Sequence, residues 1–287
     1  MIFGAHCSTA GGFHAALQRG ASLGCQVVQI FVKNNMQWLG HPPKPDDVAA
    51  FTALRTSAGI QCVFGHTGYL INLAAPDSPN RTKSLQSLIQ EIGFADALGL
   101  PFLVLHPGAH LGAGEELGLE RLVAGLDDVF AATKATHVRV ALENTAGQGT
   151  CLGYKIEHLA AVYDAVKQPT RLGLCLDTAH LFAAGFDVRH PKGWDAAIRE
   201  VAKWIGLKEI LAFHLNDSKT GLGSRVDRHE HIGKGKIGLP GFRHAVHDPR
   251  FAKTPGCLET PKSADLHEDA ENLATLRALA AKRAGHQ

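Results

Sequence analysis

The sequence predicts an eight-stranded parallel α/β barrel, the TIM fold, built as a single domain over residues 1–287. Three observations carry that prediction. Eight short apolar runs recur along the chain, continuous rather than alternating, as strands buried on both faces read. Helix-period segments separate most of them, with about thirty to forty residues per unit in most cases. The alternative doubly wound sheet would show about six strands and often a GxGxxG first turn, and that motif is absent there.

The runs come in order. IFGAH begins at Ile2 and CQVVQIFV at Cys25. Asp46 opens DDVAAFTALRTSAG, which stops at Gly59, a cap-to-stop helix unit. QCVFGH begins at Gln61, and residues 78–99 have helical period. FLVLHPG begins at Phe102 and is followed by the helix EELGLERLVAGLDDVFAATKA. VRVALEN begins at Val138 and precedes the helix YKIEHLAAVYDAVK. RLGLCLD begins at Arg171 and precedes the helix WDAAIREVAKWIG. ILAFHLND begins at Ile210, GCLET at Gly256, and residues 266–283 are again helical in period.

Composition narrows the class. Hydrophobic residues at 45% and charged residues at 20% exclude a disordered chain and supply a sizeable core. A net charge of +2 is weak support for a nucleic-acid partner, so one would have to be held by a local patch or by metal ions. The six cysteines are scattered, with no CxxC, and mostly lie in apolar runs; they read as buried free thiols in a reducing compartment. The opening MIFGAHCSTAGG has no basic segment leading into an apolar one, and no apolar stretch reaches membrane-span length, so the cytoplasm is expected. The 17 histidines need a reason, and metal ligation is the commonest one.

The chemistry gathers at the C-terminal ends of the runs. These end in or just beyond His66, His106, Glu143, Asp177 with His180, His214 and Glu259, and the loop after the seventh run adds Asp227 and His229. In a barrel, those ends meet on one rim. A lone histidine there is more often a satisfied polar residue, and Asp177 could simply cap the next helix. Six consecutive strands ending in ligand-type residues is not a capping pattern. Five imidazoles and four carboxylates without thiolate suit zinc, manganese or iron, and nine donors suit two or three ions rather than one.

Charge indicates the substrate. Three divalent ions against four carboxylates leave the site positive, which favours an anion such as phosphate; clustered metals recur in phosphatases and nucleases. The Gly-rich loop NDSKTGLGSRVDRHEHIGKGKIG could by composition be a merely solvated loop. Beside metal ligands, its Lys219, Arg225, Arg228, Lys234 and Lys236 read as a clamp on a phosphate backbone. Walker A, GxSxG and HExxH motifs are absent.

These residues in this order resemble endonuclease IV, the metal-dependent apurinic/apyrimidinic endonuclease family. The likeness runs from GAHCSTAGG to CLETPK, and LENTAGQG, CLDTAHLFAAGFD and HLNDSKTGLGSRVDRHEHIGKG are its most specific pieces. It implies a TIM barrel with three zinc ions, of which manganese could replace one or more. One zinc would be held by His66, His106 and Glu143. Glu143 would bridge to a second, held also by Asp177, His214 and Glu259. A third would be held by His180, Asp227 and His229. The resemblance implies hydrolysis of the phosphodiester 5′ to abasic sites in duplex DNA, leaving 3′-hydroxyl and 5′-deoxyribose phosphate ends, and removal of 3′-blocking groups. A metal-activated hydroxide would attack phosphorus, helped by Glu259 or Glu143. The abasic nucleotide would have to leave the stack. Tyr69 and Leu70, in GHTGYLINL, stand where the family's wedge residues lie; Tyr69 alone would read as a packing tyrosine. In FVKNNMQW, Met36 stands where the family often has Arg; methionine can wedge between bases but makes none of arginine's phosphate contacts. His231 stands where Asn is common.

Two other readings compete. A sugar isomerase or epimerase uses one or two metals on the same rim, and predicts fewer ligands and no basic third-metal loop. A non-catalytic DNA-binding module needs only Lys and Arg, which nine ordered ligands argue against. A monomer without membrane association is expected.

Overall fold

The computed structural model describes residues 1–281. Seven barrel strands come first: β1 (Ile2–His6), β2 (Val27–Phe31), β3 (Cys62–His66), β4 (Phe102–Leu105), β5 (Arg139–Glu143), β6 (Leu172–Asp177) and β7 (Ile210–His214). A two-residue hairpin, β8 (Asp217–Ser218) with β9 (His229–Glu230), precedes the last barrel strand, β10 (Pro255–Leu258). The barrel closes in the order β1-β10-β7-β6-β5-β4-β3-β2, and every pair is parallel. The helices are α1 (Phe13–Ser22), α2 (Pro45–Ser57), α3 (Pro79–Ala97), α4 (Glu115–Ala132), α5 (Ile156–Ala165), α6 (Thr178–Ala184), α7 (Pro191–Trp204), α8 (Gly238–His247) and α9 (His267–Ala281).

Two apolar layers explain the continuous runs. Val27, Phe64, Phe102, Val104, Ala141, Cys175, Ala212 and Cys257 fill the barrel, with Phe64 stacked on Phe102 at 4.7 Å. The alternate residues, such as Val28, Val63, Leu103, Val140, Leu174 and Phe213, face the helices. Side chains alternate along a strand, so the residue two beyond each interior one points to the same side. Phe64 leads to His66, Val104 to His106, Ala141 to Glu143, Cys175 to Asp177, Ala212 to His214 and Cys257 to Glu259. The interior row that packs the barrel therefore ends, at its top, in the polar set. Among the described residues, no helix is long and apolar enough to cross a membrane.

Several boundaries differ from expectation. The second helix opens at Pro45, not Asp46, because proline at the first helical position gives up no hydrogen bond. Ser78 caps α3 by accepting from the Arg81 N–H. Asp177 does cap a helix, accepting from the His180 N–H at 2.8 Å, and that helix, α6, was hidden because its residues read as strand-end chemistry. The helices α1 and α8 were also missed; each is interrupted by glycine, and α8 by proline as well. The tail helix is described to Ala281, and the rest of the expected span lies outside the described residues.

The long loop after β7 is anchored by one carboxylate that sequence reasoning did not single out. Asp217 is fully buried and accepts from five backbone N–H groups: Ser218 and Ile237 on Oδ1, and Gly233, Gly235 and Gly238 on Oδ2, at 2.8–3.2 Å. Asp217→Ala strands those donors, each costing about 1–3 kcal/mol when buried and unpaired. Urea unfolding should show a loss of at least about 3 kcal/mol, partial rehydration offsetting the remainder. A loss under about 1 kcal/mol would show that water replaces the carboxylate freely.

Candidate metal centre

The donors fall into adjoining groups whose ligand atoms lie within 4.8 Å of one another: His66, His106 and Glu143; Glu143, Asp177, His214 and Glu259; and Asp177, His180 and His229. Asp227 stands beside the last group, 3.1 Å from His180 Nε2 and 3.4 Å from His229 Nε2. All nine sequence-predicted donors thus meet in one cluster. Glu143 lies at its middle, with Oε2 3.0 Å from His106 and 3.4 Å from His66, and Oε1 2.8 Å from His214 and 3.4 Å from His180.

Outer contacts fix how the imidazoles point. His66 Nδ1 meets the Thr67 carbonyl at 2.8 Å, His180 Nδ1 the Asn144 carbonyl at 2.9 Å, and His229 Nδ1 the Glu259 carbonyl at 3.3 Å. An oxygen acceptor there holds the N–H, which leaves Nε2 with its lone pair aimed into the cluster. For His214 the assignment reverses: Nε2 donates to Gln29 Oε1 at 2.7 Å, and Nδ1 faces Glu143 and Glu259. With the proton on Nδ1, the buried Nε2 atoms of His180 and His229 make no hydrogen bond, and their lone pairs face the Asp227 carboxylate at 3.1 and 3.4 Å. Orphaned lone pairs of this kind are rare in a folded interior unless a ligand takes them. Imidazoles arranged this way around carboxylates fit divalent metal ions such as zinc or manganese.

The carboxyls are held in the ligating form. Burial alone would raise the Glu143 carboxyl, but positive charge on the facing imidazoles, His214 first, outweighs it and holds the group well below the usual range, as a bound cation would in their place. Glu259 is lowered in the same way, against burial, by His214 and by its contact with His6. Asp227, also opposed by burial, is brought down to about 2 by His180, with help from His229 and His106.

Residues missed by sequence reasoning complete the setting. Gln29 is fully buried, and its amide N–H donates to Glu259 Oε1 at 2.5 Å. His6 Nδ1 lies 3.2 Å from the same oxygen. Asn216 donates to Asp177 Oδ2 at 2.6 Å and accepts from the Glu259 N–H at 2.8 Å. The available signal was parity: Gln29 lies two beyond interior Val27, as His66 does beyond Phe64.

Above the donors opens a cavity of about 980 Å³, lined by His66, His106, His180, Asp227, His229 and Glu259, and by the cations Lys219, Arg228 and Lys262. Tyr69 lines it from the loop after β3, exposed, with its ring 5.3 Å from Phe31; Leu70 is half-buried behind it. Met36 is exposed at the tip of the loop after β2. Arg228 is exposed and donates to the Asp227 carbonyl. Arg225 is exposed; its guanidinium sits 3.8 Å over the Tyr154 ring and Nε donates to the Gly147 carbonyl. His231 Nδ1 accepts from Asn272 of α9, away from the donor cluster.

Comparison with known proteins agrees with this architecture. The family model described as a xylose isomerase-like TIM barrel matches residues 17–281. A "Probable endonuclease 4" of Chloroflexus aurantiacus is 47% identical over 277 residues, covering 96% of this chain and 97% of that one. One from Geobacter sulfurreducens is 45% identical over 280 residues, covering 98% and 95%. The crystal structure of endonuclease IV from Thermus thermophilus superposes with a TM-score of 0.86 at 34% identity, over 97% of this chain and 98% of that one. A D-tagatose 3-epimerase-like protein, at 16% identity and a TM-score of 0.72, shares the fold alone. By sequence over nearly its whole length and by structure, the chain belongs to the endonuclease 4 family.

Proposed function

We propose that this chain is a DNA repair hydrolase that cuts the phosphodiester 5′ to abasic sites in duplex DNA, leaving 3′-hydroxyl and 5′-deoxyribose phosphate ends, and that it clears blocked 3′ ends. The observation that carries the reading is the convergence of nine donors, two of them orphaned imidazoles, beneath a cavity rimmed by cations. Three ions fit the grouping, with His66, His106 and Glu143 holding one, Glu143, Asp177, His214 and Glu259 a second, and His180, Asp227 and His229 a third. When bound, such ions polarise a phosphoryl group, acidify a water and stabilise a leaving oxygen.

The protein's own residues divide the remaining work. Lys219 and Arg228 line the cavity and would meet the flanking phosphates. Glu259 lines the cavity with its side chain 17% exposed, whereas Glu143 is fully buried among imidazoles. That difference in exposure favours Glu259 over Glu143 for proton removal from an incoming water, with Glu143 holding metal. Gln29 fixes the Glu259 carboxylate by donating to Oε1, while Oε2 faces His214 Nδ1. Tyr69 and Leu70 would wedge at the displaced nucleotide.

The test is incision of a duplex carrying one reduced abasic analogue, beside an undamaged control. Cleavage only 5′ to the lesion, with a 3′-hydroxyl end, is expected. Folded, metal-loaded protein that leaves the duplex intact would overturn the reading and turn attention to sugar substrates. Met36→Arg should tighten binding to that duplex. Adding one phosphate contact should steepen the slope of log K against log salt by about one unit. Unchanged affinity and slope would show that another side chain already fills the role.

A further inference from the structure

The loops after β2 and β3 carry Met36 and Tyr69, and neither is held by secondary structure of its own. What holds them is a charge pair beneath them. Glu91, on α3, is fully buried, and the Lys33 side chain is only 4% exposed. Lys33 Nζ lies 3.0 Å from Glu91 Oε1 and also donates to the Gln37 carbonyl at 2.5 Å and the Asn34 carbonyl at 3.4 Å. Its three donors thus close the turn that presents Met36. Glu91 in turn accepts from the Gly68 N–H, at 3.1 Å to Oε2, one residue before Tyr69, and from Ser87 Oγ at 3.2 Å. Neighbouring Gln90 accepts from the Gly40 N–H at 2.6 Å and secures the far end of the first loop. The two loops touch at Gly68, where a Cβ would stand 3.2 Å from the Asn35 carbonyl oxygen and from Lys33 Nζ.

A buried ion pair is a poor source of stability, since apolar groups of the same size often do as well. What it supplies is direction, because both partners must sit where their hydrogen bonds are met. We propose that Lys33 and Glu91 are positioning residues that lock the Met36 loop to the Tyr69–Leu70 loop, so that both meet the duplex at one fixed spacing. The proposal rests on the duplex-DNA reading above. Neither residue belongs to the donor set, and both act through the loops they tie.

The test compares wild type with Glu91→Gln and with the double variant Lys33→Met/Glu91→Gln. The single variant leaves a buried ammonium unpaired and could fail to fold; the double variant removes both charges at similar volume. Metal content, abasic-duplex binding and steady-state incision are measured on each. Misplacement of substrate-positioning groups by about an ångström can cost about a hundredfold. The double variant is expected to keep its full metal content and a kcat within about threefold, while KM and Kd for abasic duplex rise at least about tenfold. Discrimination against undamaged duplex should fall with them. KM and Kd within about twofold of a wild type that incises normally would overturn the proposal alone. So would a fall in kcat and metal content together, which marks a general structural role. Wild type that neither binds nor cuts abasic duplex would overturn the duplex reading, and the proposal with it.

Discussion

Glu259→Gln is expected to lower kcat for abasic-site incision by about a thousandfold, in the middle of the range for losing a positioned general base. The fold should survive, because the backbone contacts of this residue do not use the carboxylate. Its N–H donates to Asn216, and its carbonyl accepts from His229. The glutamine oxygen can still accept from Gln29, which holds the side chain in place. What is lost is the negative charge that His214 and His6 keep in place against burial. One donor of the second ion weakens as well, so metal content must be measured beside turnover. A metal-replete variant with wild-type single-turnover rates would remove Glu259 from the proton transfer. Glu143→Gln should behave differently: its carboxylate faces four imidazoles, so metal content should fall together with activity.

The nine donors were legible in sequence because a barrel strand writes its chemistry locally. An apolar run buried on both faces ends abruptly in a polar residue, as FGH, LEN and CLD do. The barrel was legible for the same reason, since eight such runs alternate with helix-period segments. Other features have no local signature. Gln29 sits inside VVQIF and reads as one polar interruption; its partners His214 and Glu259 are near it only after the barrel closes. Asp217 reads as one acidic residue in a polar loop until its five N–H donors return to it from residues 218–238. Lys33 and Glu91 lie on different elements and look like ordinary surface charges until both prove buried. Arg225 reads from loop composition as a phosphate contact; the structure leaves it exposed and adds a stack on Tyr154, a partner that spacing could not reveal.

Stripping the ions with a chelator is expected to abolish incision and to lower Tm by about 10 °C. The size follows from linkage. An ion present at about a thousand times its dissociation constant contributes about 4 kcal/mol to folding. For chains of about 150–250 residues, each kcal/mol moves Tm by about 2–4 °C. One tightly held ion therefore accounts for the shift, and further tight ions would enlarge it. The structure also gives the metal-free state a penalty of its own. Glu143 and Glu259 converge on the same His214 nitrogen, and His180 and His229 keep orphaned buried nitrogens. Zinc or manganese should restore both Tm and incision. Magnesium and calcium should not, because they favour oxygen ligands over the five imidazoles here. A chelated protein with an unchanged Tm would mean that the donors hold no ion tightly. Restoration by magnesium alone would show the carboxylates acting without the histidines, against the orientation that Thr67, Asn144 and Gln29 impose on those rings.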